Sequence, residues 1–186
     1  MEAVAFILIG GALFSQSWNV LGLYADGRTS GLLTAVLAVM ALLIFRMAPT
    51  APMLFIGGAD SNVAAEMNIL EMLVIVWAVY GIGVGAQALW DFDDRAIGFT
   101  AVIVTAISAT ALFYYAFTLV DPYGNSVMLA MAASGLILSV IGGLVFFYLA
   151  FPFMALRLLT GWFMLLGSIG LMAIGISVIT TWVVPS

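Results

Sequence analysis

The chain of 186 residues is 66% apolar or aromatic and 7% charged, with a formal net charge of −5. Soluble domains are nearer half apolar and a quarter charged, so a water-soluble globule is excluded. With no cysteine, no histidine and arginine as its one basic residue type, the chain lacks disulfides, thiolate and imidazole metal sites, Schiff bases and the usual pH sensor. This composition points to a membrane protein that is not an enzyme and carries no cofactor or metal.

The first apolar run, near 3–24, is long enough to cross a bilayer, which needs about 20 mostly apolar residues. Glu2 stands where a cleavable signal peptide would be basic, and no small-residue cleavage site is evident, so the run reads as a span. On it Phe6, Ile9, Leu13 and Gln16 share one helical face. Asp26, Gly27 and Arg28 interrupt the pattern, and a second run follows at 31–46. The stretch 47–67 holds Asp60 and Glu66, and the third run, 68–90, repeats the facial stripe with Trp77, Tyr80, Val84 and Gln87. Gly81 and Gly85 of that run form a GxxxG packing pattern. Asp91 to Arg95 separate it from the fourth run, 96–120, and Asp121 to Ser126 separate the fourth from the fifth, 127–151. The fifth has Gly135, Ser139 and Gly143 at every fourth position, then Phe146, Phe147 and Tyr148; Pro152 to Leu158 precede the sixth, 159–183. No ten-residue segments of alternating polarity suggest a β-barrel. The expected fold is all-α: a single domain over 1–186, with six transmembrane helices arranged as three helical hairpins around a pore in each protomer.

Arg28, Arg95 and Arg157 follow the odd-numbered runs, and Arg46 alone lies at the other face. The positive-inside rule then makes the odd-to-even loops cytoplasmic and both termini external. The same arginines mark a weak repeat: Gly31, Gly98 and Gly161 follow them by three or four residues, and Thr34-Ala35-Val36 matches Thr100-Ala101-Val102. The spacing covers an even number of spans each time, so the repeating unit is a hairpin used three times in one orientation. Such an arrangement puts helices one, three and five around a common axis. A short turn that merely favours Arg and Gly explains the matches equally well.

Inside the spans ionisable residues are nearly absent, and Glu71 lies within a turn of the third run's start. Nothing there builds a proton relay or holds an ionic substrate at mid-depth. The polar residues are neutral. Gln16 and Gln87 end matching stripes, and a buried amide needs a partner or water, which suggests a wet axis. Glutamines bonding between helices, and aromatic stripes that merely pack, account for the same residues.

Several segments resemble the urea/amide channel family (AmiS/UreI type). They are Leu8-Ile9-Gly10-Gly11-Ala12-Leu13-Phe14, Ala25-Asp26-Gly27-Arg28-Thr29-Ser30, Thr50-Ala51-Pro52, Asp93-Asp94-Arg95-Ala96-Ile97-Gly98-Phe99 and Thr160-Gly161-Trp162. They cover nearly the whole length, in order. The resemblance implies a six-helix protomer with its own pore, external termini, and a homo-hexamer in the lipid of a bacterial inner membrane. It also implies passive conduction of urea or short aliphatic amides, with no nucleic-acid partner. Carried over by position, it places Ile9, Leu13 and Gln16 with residues 79–83 along the path. The chain departs from the family's pattern at Gln16-Ser17, at Phe146-Phe147-Tyr148, and at Gly167, where some members have an acid. The expected pore-lining residues are Phe6, Ile9, Leu13, Gln16, Tyr80, Val84, Phe146 and Phe147. A small-carboxylate channel or transporter, and a non-transporting structural subunit of a larger membrane complex, are the other readings.

Overall fold

The computed structural model describes residues 2–23, 26–47, 61–118, 126–151 and 153–180. Asp60, Asp121, Asn125 and Thr50 to Pro52 lie outside them, as do the side chains of Arg46 and Glu66. The helices are α1 (Glu2–Leu21), α2 (Gly27–Met47), α3 (Ser61–Trp90), α4 (Asp94–Phe113), α5 (Ser126–Ala150) and α6 (Met154–Ile179), with one π-helical turn, Tyr114–Thr118, continuing α4. Among the described residues there is no strand, and all six α-helices are long and apolar enough to cross a membrane. Over the described residues the chain is an all-α, six-helix, multi-pass membrane protein.

Local chemistry sets the ends. α1 stops where Gly22 takes φ 72°, a left-handed backbone that glycine adopts without strain. The Leu23 amide then donates to Trp18 O at 3.0 Å and the Gly22 amide to Asn19 O at 3.1 Å, closing a Schellman turn. Asp26 begins α2 by accepting from the Thr29 amide at 3.2 Å and its hydroxyl at 3.0 Å. These bonds, the hydroxyl's first, hold the Asp26 carboxyl below its ordinary range. Asp93 does the same for α4, accepting from the Arg95 amide at 3.0 Å. Helices α2, α3, α4 and α6 therefore begin earlier than the apolar runs suggest, because Asp, Gly, Ser and Arg sit in their first turns or caps rather than in breaks.

Each helix packs on its neighbours in sequence, and α6 returns to α1, so the six close a ring. The α2–α3, α4–α5 and α6–α1 seams are packed closely, while α1–α2, α5–α6 and above all α3–α4 are looser. The glycines following the three arginines lie at the close seams: Gly31 against Ala88, Gly98 against Leu149 and Ala150, and Gly161 against Leu21. Each lets two backbones approach at the same end of the ring. That is how membrane helices associate, through van der Waals contact rather than a hydrophobic drive. The three glycines thus serve helix packing.

Gly81 and Gly85 likewise face Thr34, Ala35 and Ala38 of α2. On α5 the stripe differs from expectation. Gly135 and Gly142 meet Leu112 and Thr105 of α4, whereas Gly143 has only a distant neighbour and the Ser139 hydroxyl bonds its own helix at Leu136 O. The interior of the ring is filled by Phe6, Leu70, Leu73, Val74, Leu138, Ile141, Val145, Met164 and Leu171, all fully buried. Of the odd helices, α1 touches α3, while among the described residues the backbone of α5 lies close to α4, the π turn and α6.

Candidate functional site

At the arginine-bearing end the packed interior gives way to a cavity of about 150 Å³, room for several waters. Every helix contributes to it. The odd helices supply three residues each at i, i+3 and i+4: Gln16, Asn19 and Val20 of α1, Val84, Gln87 and Ala88 of α3, and Val145, Tyr148 and Leu149 of α5. One turn of helix presents those positions to one side. The even helices supply residues keyed to the repeat glycines. Ser30, Ile97 and Thr160 each precede one, and Thr34 and Met164 each follow one by three residues. Asp94 and Arg157 stand at the mouth, where an open cleft of about 360 Å³ shares Gln87, Asp94, Tyr148 and Leu149 with the cavity.

Polar bonds hold the walls. The Arg157 Nε donates to Val20 O at 2.8 Å, fastening α6 to the end of α1. The Gln87 amide donates to the Asp94 carboxylate, bridging α3 to α4. Ser15 Oγ donates to Ser30 O at 3.2 Å, and the Thr34 hydroxyl reaches both Ser30 O at 2.8 Å and Ala12 O at 3.3 Å, joining α1 to α2. The Arg28–Asp91 pair, 3.4 Å apart and exposed, adds little.

The floor of the cavity is Gln16. It lies five residues before the end of α1, roughly 8 Å deep at 1.5 Å per residue. Its Nε2 donates to the Tyr80 hydroxyl at 2.9 Å, across the α1–α3 contact. Among the described residues its Oε1 has no partner, and neither has the Thr160 Oγ1; both atoms are buried. Behind Gln16 a void of about 10 Å³, room for one water at most, lies among Ile9, Ala12, Leu13, Thr34, Ala38, Trp77, Tyr80 and Gly81. Trp77 is fixed there by its Nε1, which donates to Ser108 Oγ at 2.9 Å, and by an edge-on contact with the Tyr80 ring.

The residues singled out from sequence therefore fall into three groups. Gln16 and Val84 line the cavity, while Tyr80, Leu13 and Ile9 border the void behind it. Phe6 is buried further along α1, in the packed interior. Phe146 and Phe147 line neither space. Phe146 is half-buried in an aromatic cluster with Phe99 and Phe151, and Phe147 is 47% exposed on the outer surface. At 100° per residue, Val145 and Tyr148 face inward and the pair between them turns away.

The two glutamines are also not equivalent. Gln16 matches Val84 in depth, and Gln87 matches Asn19 and Tyr148 at the mouth. Sequence reasoning missed Ser30, Thr34, Thr160, Asn19 and Tyr148. The signal for the first three was present in the repeat, one residue before or three after each glycine. Among the described residues no group of three His, Cys, Asp or Glu side chains comes together to hold a metal. Compared with models of known protein families, with curated proteins and with solved structures, the chain matches none.

Proposed function

We propose that the chain is a passive channel for small neutral polar solutes such as urea or short aliphatic amides. The observation that carries this reading is the cavity, a polar chamber enclosed by all six membrane-crossing helices, with an uncharged amide at its floor. An ion that passes Asp94 and Arg157 at the mouth meets only neutral groups beyond them, so its dehydration goes uncompensated. A neutral solute gives up less water. It can exchange those bonds for Gln16, Tyr80 and the Ser and Thr hydroxyls. The lone arginine of the lining, Arg157, is engaged with the Val20 carbonyl rather than placed deep inside, which disfavours a carboxylate path.

The resemblance to the urea/amide channel family agrees with this reading and adds a hexameric ring in the bacterial inner membrane, with the arginine-bearing end cytoplasmic. Between cavity and far side the ring is packed, by Leu13, Trp77 and Tyr80 around the small void and by Phe6, Leu70 and Leu73 in the interior, so conduction requires side chains there to move. The direct test is light-scattering flux of urea, acetamide and acetate into vesicles holding the purified protein alone. Entry of the two neutral solutes without acetate is expected. No flux above empty vesicles would overturn the proposal and favour a structural subunit. Native mass measurement in mild detergent should give six copies, and a stable monomer would remove the support of the family resemblance.

A further inference from the structure

The loosest seam of the ring, between α3 and α4, carries a groove of about 340 Å³. It runs along one face of α3 from Val76 to Gly83 and along α4 from Ala96 to Val104. Val79 and Ile103, 60% and 59% exposed, set its opening toward the membrane, and the buried Tyr80 and Val104 form its back. The wall is apolar. The Tyr80 hydroxyl is taken by Gln16 at 2.9 Å, and the Thr100 hydroxyl donates to Ile97 O of its own helix at 2.7 Å. The lining therefore gives water or a polar solute little to hold.

Gly83 serves no close packing within the protomer. Gly81 and Gly85 admit Ala38 and Ala35 of α2, but a Cβ on Gly83 would meet nothing within 4 Å among the described residues. A glycine inside a helix costs stability, and here the missing side chain only deepens the groove. At 1.5 Å per residue, the α3 wall lies roughly 10–21 Å from the end of that helix at Trp90. One leaflet of hydrocarbon is about 15 Å thick, half of the bilayer core. The groove thus follows the leaflet at the arginine-bearing end down to the middle of the bilayer. A helix from a second copy is too large for it: over the same length, a helix 10 Å across fills roughly 800 Å³.

We propose that the α3–α4 groove seats one acyl chain of a phospholipid from the leaflet at the arginine-bearing end. Size, depth and apolar wall all suit an extended hydrocarbon chain, and Gly83 lets that chain lie against backbone. The seated chain packs on Tyr80 from outside, while Gln16 holds the same side chain from within. The assignment goes beyond the channel reading and does not depend on what the ring conducts.

The probe is phosphatidylcholine with a photoactivatable diazirine midway along one chain, in vesicles holding the full protein, with adducts located by peptide mass. In wild type, adducts on residues 76–83 and 96–104 should exceed those on Phe163 and Leu166 of α6, which are 45% and 64% exposed but line no groove. Gly83→Phe fills the groove from α3 and should abolish the excess. Thr100→Phe fills it from α4, and serves if the first variant does not fold. Val102→Phe, on an exposed part of α4 outside the groove, should keep the excess. Adducts that track exposure evenly around the ring, or an excess that both groove-filling variants leave unchanged, would overturn the seat. Absence of adducts in the groove would overturn it too, and a disulfide between chains at Val79→Cys would then assign the face to a second copy.

Discussion

Placing a methyl group on Gly98 tests the packing logic of the ring. A Cβ there would lie 2.9 Å from both the Ala150 Cα and the Leu149 carbonyl carbon, and closer still to the Ala150 nitrogen. Carbon atoms in good contact sit about 3.5–4.0 Å apart, so α4 and α5 must separate by at least roughly half an ångström. The obstructing atoms are backbone and cannot rotate aside. Overpacking of this kind costs about 1–3 kcal/mol, and a backbone obstacle belongs at the upper end. The gain in helix propensity from Gly to Ala returns at most about 1 kcal/mol.

The net loss is then about 2 kcal/mol, roughly a 30-fold shift in the folding equilibrium. Gly83→Ala is the matched control. No atom lies within 4 Å of its added Cβ, so it should be neutral or stabilise by up to about 1 kcal/mol. Gly161→Ala should fall between the two, because its nearest obstacles, at 2.6 Å, are Leu21 side-chain atoms that can swing away. Unfolding by SDS titration in mixed micelles, followed by tryptophan fluorescence, ranks the three. If Gly98→Ala is as stable as wild type, or Gly83→Ala is equally damaging, the close seams are not what holds the ring.

Leu13→Ala should raise flux and admit larger amides by widening the void behind Gln16, while Leu13→Trp should block entry; if both leave vesicle flux and selectivity untouched, that face is ordinary packing. Cysteines placed at Asp26 and Asn125 in this cysteine-free chain should react with an impermeant maleimide from opposite sides of the membrane, Asp26 from the cytoplasm, and labelling of both from one side would refute the orientation. Flux should be flat between pH 5 and 8, since there is no imidazole to titrate, and a steep step near pH 6 in vesicle assays would contradict this. The Asp26 carboxyl is held low by Thr29, so its cap contributes fully at neutral pH and is lost only as pH falls through that depressed value. Asp26→Asn should accordingly leave stability at pH 7 little changed, because Asn caps about as well, while flattening its acid dependence in thermal melts.

The helix count was legible because runs of about 20 apolar residues have few other meanings. Helix starts were not, since Asp26, Asp93 and Arg157 look like interruptions when only hydropathy is read, yet two are caps and the third ties α6 to Val20. The stripe through Ile9, Leu13 and Gln16 was legible from periodicity, and it borders the cavity and void. Phe146 and Phe147 could not be assigned, because adjacent aromatics on an all-apolar helix give no phase; both faces read alike. Thr160 and Ser30 stood beside the repeat glycines in the sequence but were not assigned, for a different reason. Small hydroxyl residues near a glycine usually serve packing, and their place beside the cavity emerges only once the helices are assembled.

The arginine from α6 that grasps the carbonyl of Val20 has a consequence for biogenesis. Helices enter the membrane in the order they are made, and α1 finds its most extensive partner in α6, the last of the six. Until α6 arrives, one flank of α1 has only lipid or the insertion machinery against it, with Gly10 lacking the Ser168 and Met172 contacts that α6 brings. Closure of the ring is therefore the terminal event of assembly, and the Arg157–Val20 bond is the clasp that completes it. A chain halted between α5 and α6 would leave an open crescent whose α1 flank, with Gly10 on it, lacks its packing partner.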